Sequence, residues 1–298
     1  MITEPFLEDG REPVVKLFQA YDKLLQYGME KDLICTQKSG KEGYEEVTFP
    51  IFGYRTTKTN DKTLWLISGV HGEEPPGPEA IAAEIDFIGE ISKRIPMVVI
   101  PLCNPVGRYL GWRYQDEYRD HNKGTSVADS EHLLLDEGEQ KPRTNNASNQ
   151  TAKAVTEYVV RMNYKFPPLL SIDFHEDEAL PQSYIYSQGE RGVDDPVAKT
   201  IVKIMQDSGM TIQMSGNTRF GEPVVDGVVL AKIDGSVDEL IASKRIFYEG
   251  KITDKPAATT AIVVETPTIG VPLSKRVNAH RNIIKSIETL WRLVSGMK

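Results

Sequence analysis

One apolar run, Leu64-Trp65-Leu66-Ile67-Ser68-Gly69-Val70, ends directly on His71-Gly72-Glu73-Glu74. A run this short and apolar suits a strand buried on both faces, and such strands belong to sheets covered by helices on both sides. The pattern returns about a hundred residues on, where Leu169-Leu170-Ser171-Ile172-Asp173-Phe174 runs into His175. A third run, Ala261-Ile262-Val263-Val264, ends on Glu265. Parallel strands of one sheet would present these side chains at its carboxyl edge, where open α/β folds bind their ligands.

The remaining periodicity fits that architecture. Residues 11–26 carry Val14, Leu17, Phe18, Tyr21, Leu24 and Leu25 at helical spacing. Strands are predicted at 47–54 and 64–70, joined by a polar turn and pairing with each other. Pro75-Pro76-Gly77-Pro78 starts a helix that continues to about residue 93, and a buried strand at 97–102 completes a strand-helix-strand crossover. Residues 104–146 form a long polar segment of little periodicity, and loops of that length in a compact domain are usually functional. Helices at 147–162, 196–205 and 273–294 and strands at 169–174, 183–186 and 261–264 complete the pattern. The expectation is one domain over residues 1–298, an α/β fold of three layers, α/β/α, with a mixed, mostly parallel central sheet.

A formal net charge of -8, with basic residues scattered along the chain, argues against a nucleic-acid partner. No run is long enough to span a membrane, and Met1-Ile2-Thr3-Glu4-Pro5 does not resemble a signal sequence. Two cysteines, Cys35 and Cys103, cannot form a disulfide framework, and both sit in apolar contexts typical of buried residues. These features point to a cytoplasmic protein. They say nothing about its oligomeric state.

An imidazole and a carboxylate three residues apart at the end of one strand can reach one metal ion from the same side. With His175 they make the His₂Glu set of hydrolytic zinc, which leaves a fourth position for water. An isolated HxxE is weak evidence, since Glu73 and Glu74 also suit the first turn of a helix. Its repetition as strand-then-histidine favours one zinc ion per chain, although other divalent ions suit the same ligands. Such a site needs a base for the attacking water, and Glu265 is the candidate. Gly111-Trp112-Arg113 offers a guanidinium for a developing oxyanion, and Asp120-His121-Asn122-Lys123 an amide and a cation for a substrate carboxylate. His121, His132 and His280 read as surface or helix residues.

The order of these pieces resembles the zinc carboxypeptidase family, including its bacterial relatives that cut murein peptides. That family shows HxxE after a strand, NPDG, an Arg, a DxNR segment, a second ligand His after a strand and a late Glu. The matching residues are His71 and Glu74, Asn104-Pro105-Val106-Gly107, Arg113, Asp120-His121-Asn122-Lys123, His175 and Glu265. The resemblance implies that His71, Glu74 and His175 bind zinc, Glu265 is the general base and Arg113 polarises the scissile carbonyl. It further implies that Asn122 and Lys123 grip the terminal carboxylate and that Tyr248 matches the family's mobile tyrosine. Lys123 replaces the usual Arg with a point charge, for which Arg119 or Arg108 would have to compensate. The expected activity is hydrolysis of a peptide or peptide-like amide. Alternatives are an N-acyl amino acid deacylase of the desuccinylase and aspartoacylase type, or a binding protein without turnover. The expected partner is therefore a small peptide or acylated amino acid.

Overall fold

The apolar runs lie at the centre of one ten-stranded sheet. The computed structural model describes residues 9–39, 46–58, 62–115, 125–230 and 234–296. The amino-terminal part comprises helix α1 (Val14–Tyr21), a 3-10 turn (Asp22–Tyr27) and strands β1 (Glu30–Lys38), β2 (Thr48–Arg55) and β3 (Thr63–Ser68). Helices α2 (Pro76–Ala83) and α3 (Ile85–Ser92) lead to β4 (Met97–Ile100), α4 (Pro105–Leu110), α5 (Gln150–Lys165) and β5 (Pro168–Asp177). Then come β6 (Tyr184–Ser187), α6 (Pro196–Asp207), β7 (Ser215–Asn217), β8 (Pro223–Val225), β9 (Val228–Val229) and α7 (Val237–Ala242). The chain closes with β10 (Arg245–Tyr248), β11 (Lys251–Asp254), β12 (Thr260–Pro267), α8 (Leu273–Lys285) and α9 (Ile287–Ser295).

The sheet runs β1-β2-β4-β3-β5-β12-β6-β9-β8-β7. Its centre, β4-β3-β5-β12, is parallel, whereas most flanking pairs are antiparallel. Period-two alternation sends Leu64, Leu66, Val99, Ile172, Phe174, Ile262 and Val264 to one face, against Val14, Ile81, Ile88, Ile201, Ile283 and Leu290 of the α1, α2, α3, α6, α8 and α9 layer. Trp65, Ile67, Val98 and Ala261 point the other way, against Val159 of α5 and Leu240 of α7. Each such side chain contributes roughly 1.5–3 kcal/mol on burial. With both faces covered, a one-residue slip would exchange the two faces, so the register is strongly specified.

Several elements differ from the sequence expectation for local reasons. Strand β2 pairs with β1 and β4 rather than β3. Strand β1, EKDLICTQK, is an edge strand with only one buried position, so it carries no apolar run to betray it. The helix predicted to residue 93 breaks at Glu84, where the backbone leaves the helical region and the carboxylate accepts from Arg281 Nε at 2.6 Å. The last helix breaks at Ser286, whose hydroxyl donates to the Asn282 carbonyl at 2.8 Å. Residues 104–146 contain α4, and β7 to β11 arise in a region where the pattern shows no strand. Cys103 is buried and Cys35 half-buried. Among the described residues no helix is long and apolar enough to cross a membrane.

Strands β5 and β12 continue past their apolar cores, and their register pairs Glu265 with His175 and Thr266 with Glu176. At the end of β3, Gly69 takes φ +64° and turns the chain, a conformation that suits glycine. Three residues later Gly72 packs on the start of α4, its N–H donating to the Arg113 carbonyl at 3.2 Å. A Cβ on Gly72 would stand 2.1 Å from the Gly107 carbonyl carbon and 2.3 Å from the Arg108 nitrogen, both backbone atoms that cannot step aside. Gly72→Ala is therefore expected to cost at least about 2 kcal/mol, lowering Tm by about 5 °C. Thermal melts read the loss of stability, and metal content of the same samples reads displacement of the neighbouring His71.

Candidate metal centre

The turn after β3 carries His71, and Glu74 follows just before the paired prolines that open α2. His175 reaches the same point from within β5. His71 Nδ1 lies 2.8 Å from Glu74 Oε1, and His175 Nδ1 lies 3.2 Å from His71 Nδ1 and 3.0 Å from Glu74 Oε2. Ligands at about 2.0–2.1 Å from a tetrahedral zinc stand roughly 3.3 Å from one another, so this set fits such an ion with little adjustment.

The three groups differ in their electrostatics. Burial, joined by the Arg113 charge, pushes His71 down to about 4 against the pull of Glu74, so the ring is neutral near pH 7 and able to ligate. His175 is raised, because Asp173 and Glu74 outweigh its burial. Glu74 is held well below the usual carboxylate range by the two imidazoles, against its own burial. Glu74 Oε2 is buried against His175 Nδ1. A carboxylate and two imidazole nitrogens converging at these distances fit a shared metal ion.

Behind His175, Asp173 Oδ2 lies 3.1 Å from Nε2, the nitrogen opposite the ligating one. A carboxylate there fixes the tautomer and orientation of a ligand histidine. Asp238 of α7 joins this buried group. Burial, together with the Asp173 charge, raises Asp238 well above the usual carboxylate range, against the pull of His175. On the opposite side Glu176 pairs with Arg276, and the Thr266 hydroxyl stands between Glu176 Oε1 at 3.3 Å and His280 Nε2 at 3.2 Å. His280 is a helix residue, as expected, but it is fully buried against Phe174 rather than at the surface.

Glu265 and Arg113 complete the group around the ligands. Arg113 Nη1 donates to Glu73 Oε1 at 3.0 Å and Glu74 Oε1 at 3.1 Å. The Arg113 carbonyl accepts from Asn104 Nδ2 at 3.0 Å, while Asn104 Oδ1 caps α4 through the Gly107 N–H at 2.9 Å. Asn104-Pro105-Val106-Gly107 is thus a clamp that positions Arg113. Burial pushes Glu265 up to about 8, with Glu74 and Asp177 adding to the shift and His175 and Arg113 opposing it. Its Oε2 is buried and makes no hydrogen bond.

His71, Glu74, Arg113, His175 and Glu265 together line one cleft of about 660 Å³. Tyr248 does not line it; it sits on β10, packed against the core beneath α5 and α7. Arg108 is fully buried, donating to the Glu12 carbonyl and to Glu79 Oε1 at 2.8 Å each, and so cannot compensate for Lys123. Asn122, Lys123, Arg119 and His121 lie outside the described residues. His132 is half-buried in a turn. Sequence reasoning missed Asp173, although its position two residues before His175 on one strand face was a usable signal. It also missed Arg219 of the β7–β8 turn, for which no local signal exists.

A parallel sheet centre with both histidines and the late glutamate at its carboxyl edge defines a zinc carboxypeptidase-like α/β fold. Solved structures of that class match nearly the whole chain. A candidate metallopeptidase of Shewanella amazonensis shares the fold with a TM-score of 0.67 at 19% identity, covering 94% of each chain. One from Shewanella baltica gives 0.66 at 18%, covering 93% of this chain and 90% of the other. A metallo-carboxypeptidase of Burkholderia cenocepacia gives 0.54 at 14%, covering 95% and 69%. No protein-family model and no curated protein matches the sequence.

Purified protein is expected to bind about one zinc per chain through this ligand set. His71→Ala or Glu74→Ala should abolish binding, and Asp173→Asn should weaken it about 10- to 100-fold while the fold persists. Zinc titration with a competing chelator, read beside circular dichroism, checks both.

Proposed function

We propose that the protein is a zinc-dependent, carboxypeptidase-like hydrolase that cleaves a peptide or peptide-like amide in the cleft above β3, β5 and β12. The observation that carries this proposal is the convergence of the His71, Glu74 and His175 ligand atoms within one cleft that Glu265 also lines. Zinc held by those residues would supply an acidified water and a Lewis-acid contact for the scissile carbonyl. Glu265 accepts the proton of the attacking water and returns it to the departing nitrogen, giving a carboxylate and an amine. The raised Glu265 pKa suits both transfers, since a group titrating near the working pH is an adequate base and then an adequate acid. Arg113, anchored on Glu73 and Glu74, sets a positive charge against the oxygen that becomes anionic, where one good donor contributes roughly 2.7–4 kcal/mol. Asn122 and Lys123 take the substrate's terminal carboxylate in this proposal.

A base must be deprotonated to act, so kcat/KM is expected to rise with pH through the Glu265 pKa. Positive charge at the ligand set brings that midpoint below the value of about 8 held by the surrounding residues alone. Glu265→Gln should lower kcat about 10²- to 10⁴-fold and remove this limb while zinc stays bound. The test is a panel of peptides with free and amidated C-termini together with N-acyl amino acids, assayed with and without chelator. Chelator-sensitive cleavage lost in Glu265→Gln supports the proposal. Zinc binding with no cleavage of any member refutes it, and preference for the acylated amino acids favours the deacylase.

A further inference from the structure

Thr218-Arg219-Phe220-Gly221-Glu222 closes the β7–β8 hairpin, and Arg219, Phe220 and Glu222 line the same cleft as Glu265. The turn is held by its own hydrogen bonds. The Thr218 N–H donates to the Glu222 carbonyl at 2.9 Å and the Gly221 N–H to the Thr218 carbonyl at 3.0 Å. The Thr218 hydroxyl accepts from the Phe220 N–H at 3.2 Å and donates to Glu222 Oε2 at 2.8 Å. Tyr186 ties the turn to the sheet by donating its hydroxyl to the same carboxylate oxygen at 2.8 Å. Glu222 is thereby occupied, and the turn presents Arg219 from a fixed frame.

The Arg219 guanidinium lies over the Phe220 ring, 4.7 Å from its centroid. Its nearest carboxylate among the described residues is Asp177, at 3.9 Å, beyond hydrogen-bonding distance. Asp177 is already satisfied, with Oδ1 accepting from the Ala179 N–H at 2.7 Å and Oδ2 from the Tyr184 hydroxyl at 2.6 Å. The other described arginine lining the cleft, Arg113, is committed to Glu73 and Glu74. Arg219 is thus a rigidly mounted, partly exposed guanidinium whose planar donor fork has no hydrogen-bond acceptor among the described residues. Such a fork matches a carboxylate in bidentate fashion.

We propose that Arg219 is a specificity-determining residue that binds a carboxylate of the substrate, on whichever side of the scissile amide that group stands. This deepens the hydrolase proposal and rests on it. Asp177 and Glu222, the lining acids beside Arg219, accept hydrogen bonds from tyrosine hydroxyls, so neither takes up the Arg219 donor fork.

Three probes separate the possibilities with zinc-loaded, full-length protein. N-succinyl-Ala-Ala and N-butyryl-Ala-Ala differ by a carboxylate on the acyl side, and N-butyryl-Ala-Ala and its C-terminal amide by one on the leaving side. Arg219→Met should collapse the preference for the charged member of one pair about 10- to 100-fold, with Arg219→Lys intermediate, while kcat/KM of that pair's neutral member changes less than about twofold. The same difference should appear in calorimetric binding to the Glu265→Gln protein, so slow turnover does not hide it. Unchanged preference in both pairs, equal losses for charged and neutral members, or no binding of any charged probe overturns the assignment of Arg219. Failure of the hydrolase proposal reads differently, as the absence of zinc-dependent, Glu265-dependent cleavage across the wider panel.

Discussion

Everything at the candidate centre depends on the parallel register of β5 against β12. That register sets Glu265 beside His175, and because β3 pairs with β5 on the other side, the turn carrying His71 and Glu74 opens at the same edge. Apolar cores of the three strands, packed on both faces, leave them no freedom to slide. Loops could vary widely around such a frame without moving the ligands. The neighbouring structures, at 19% identity or below and yet covering most of the chain, are consistent with a fold kept by these few contacts.

The second constraint is charge. Glu74, Asp173, Glu176, Asp177 and Asp238 are all buried within or beside the cleft. A buried carboxylate persists only when paired or protonated. Glu176 has Arg276, Asp177 has the Tyr184 hydroxyl, Asp173 has His175, and Asp238 is raised well above the usual range by burial and the Asp173 charge. Glu74 has Arg113 on Oε1, and its Oε2 faces His175 Nδ1 at 3.0 Å. The His71, Glu74 and His175 cluster thus fits a metal ion by the spacing of its ligand atoms, within a site rich in buried carboxylates.

How much of this was legible in the sequence follows from which interactions are local. His71, Glu74, His175 and Glu265 each end an apolar run, so the strand pattern points to them directly. Arg113 carries no such mark; it became visible through its order behind the Asn104 motif, and only the structure shows that motif clamping the Arg113 carbonyl. Asp238 and Arg276 reach the site from helices distant in sequence, and nothing near them signals it. Strand β1 and the short strands β7 to β9 lie at the sheet's two ends, where half-exposed positions blur the alternation. Residue type alone placed Arg108 as a cleft candidate, but an arginine can be buried by one glutamate and one carbonyl, as here.

The cleft is therefore built from two different parts of the sheet. The parallel centre carries His71, Glu74, His175 and Glu265, where strands packed on both faces allow little movement. Beyond β12 the sheet continues through β6 and β9 to β8 and β7, and the outermost hairpin is short and largely exposed. Such a hairpin can change its tip without disturbing the core, since its turn is closed by Thr218 and Glu222 within itself. A side chain at that tip still lines the cleft, because Tyr186 anchors it from β6, the strand beside Glu265. If Arg219 selects the substrate as proposed, preference can diverge through this one turn while the strands that carry His71, His175 and Glu265 stay fixed.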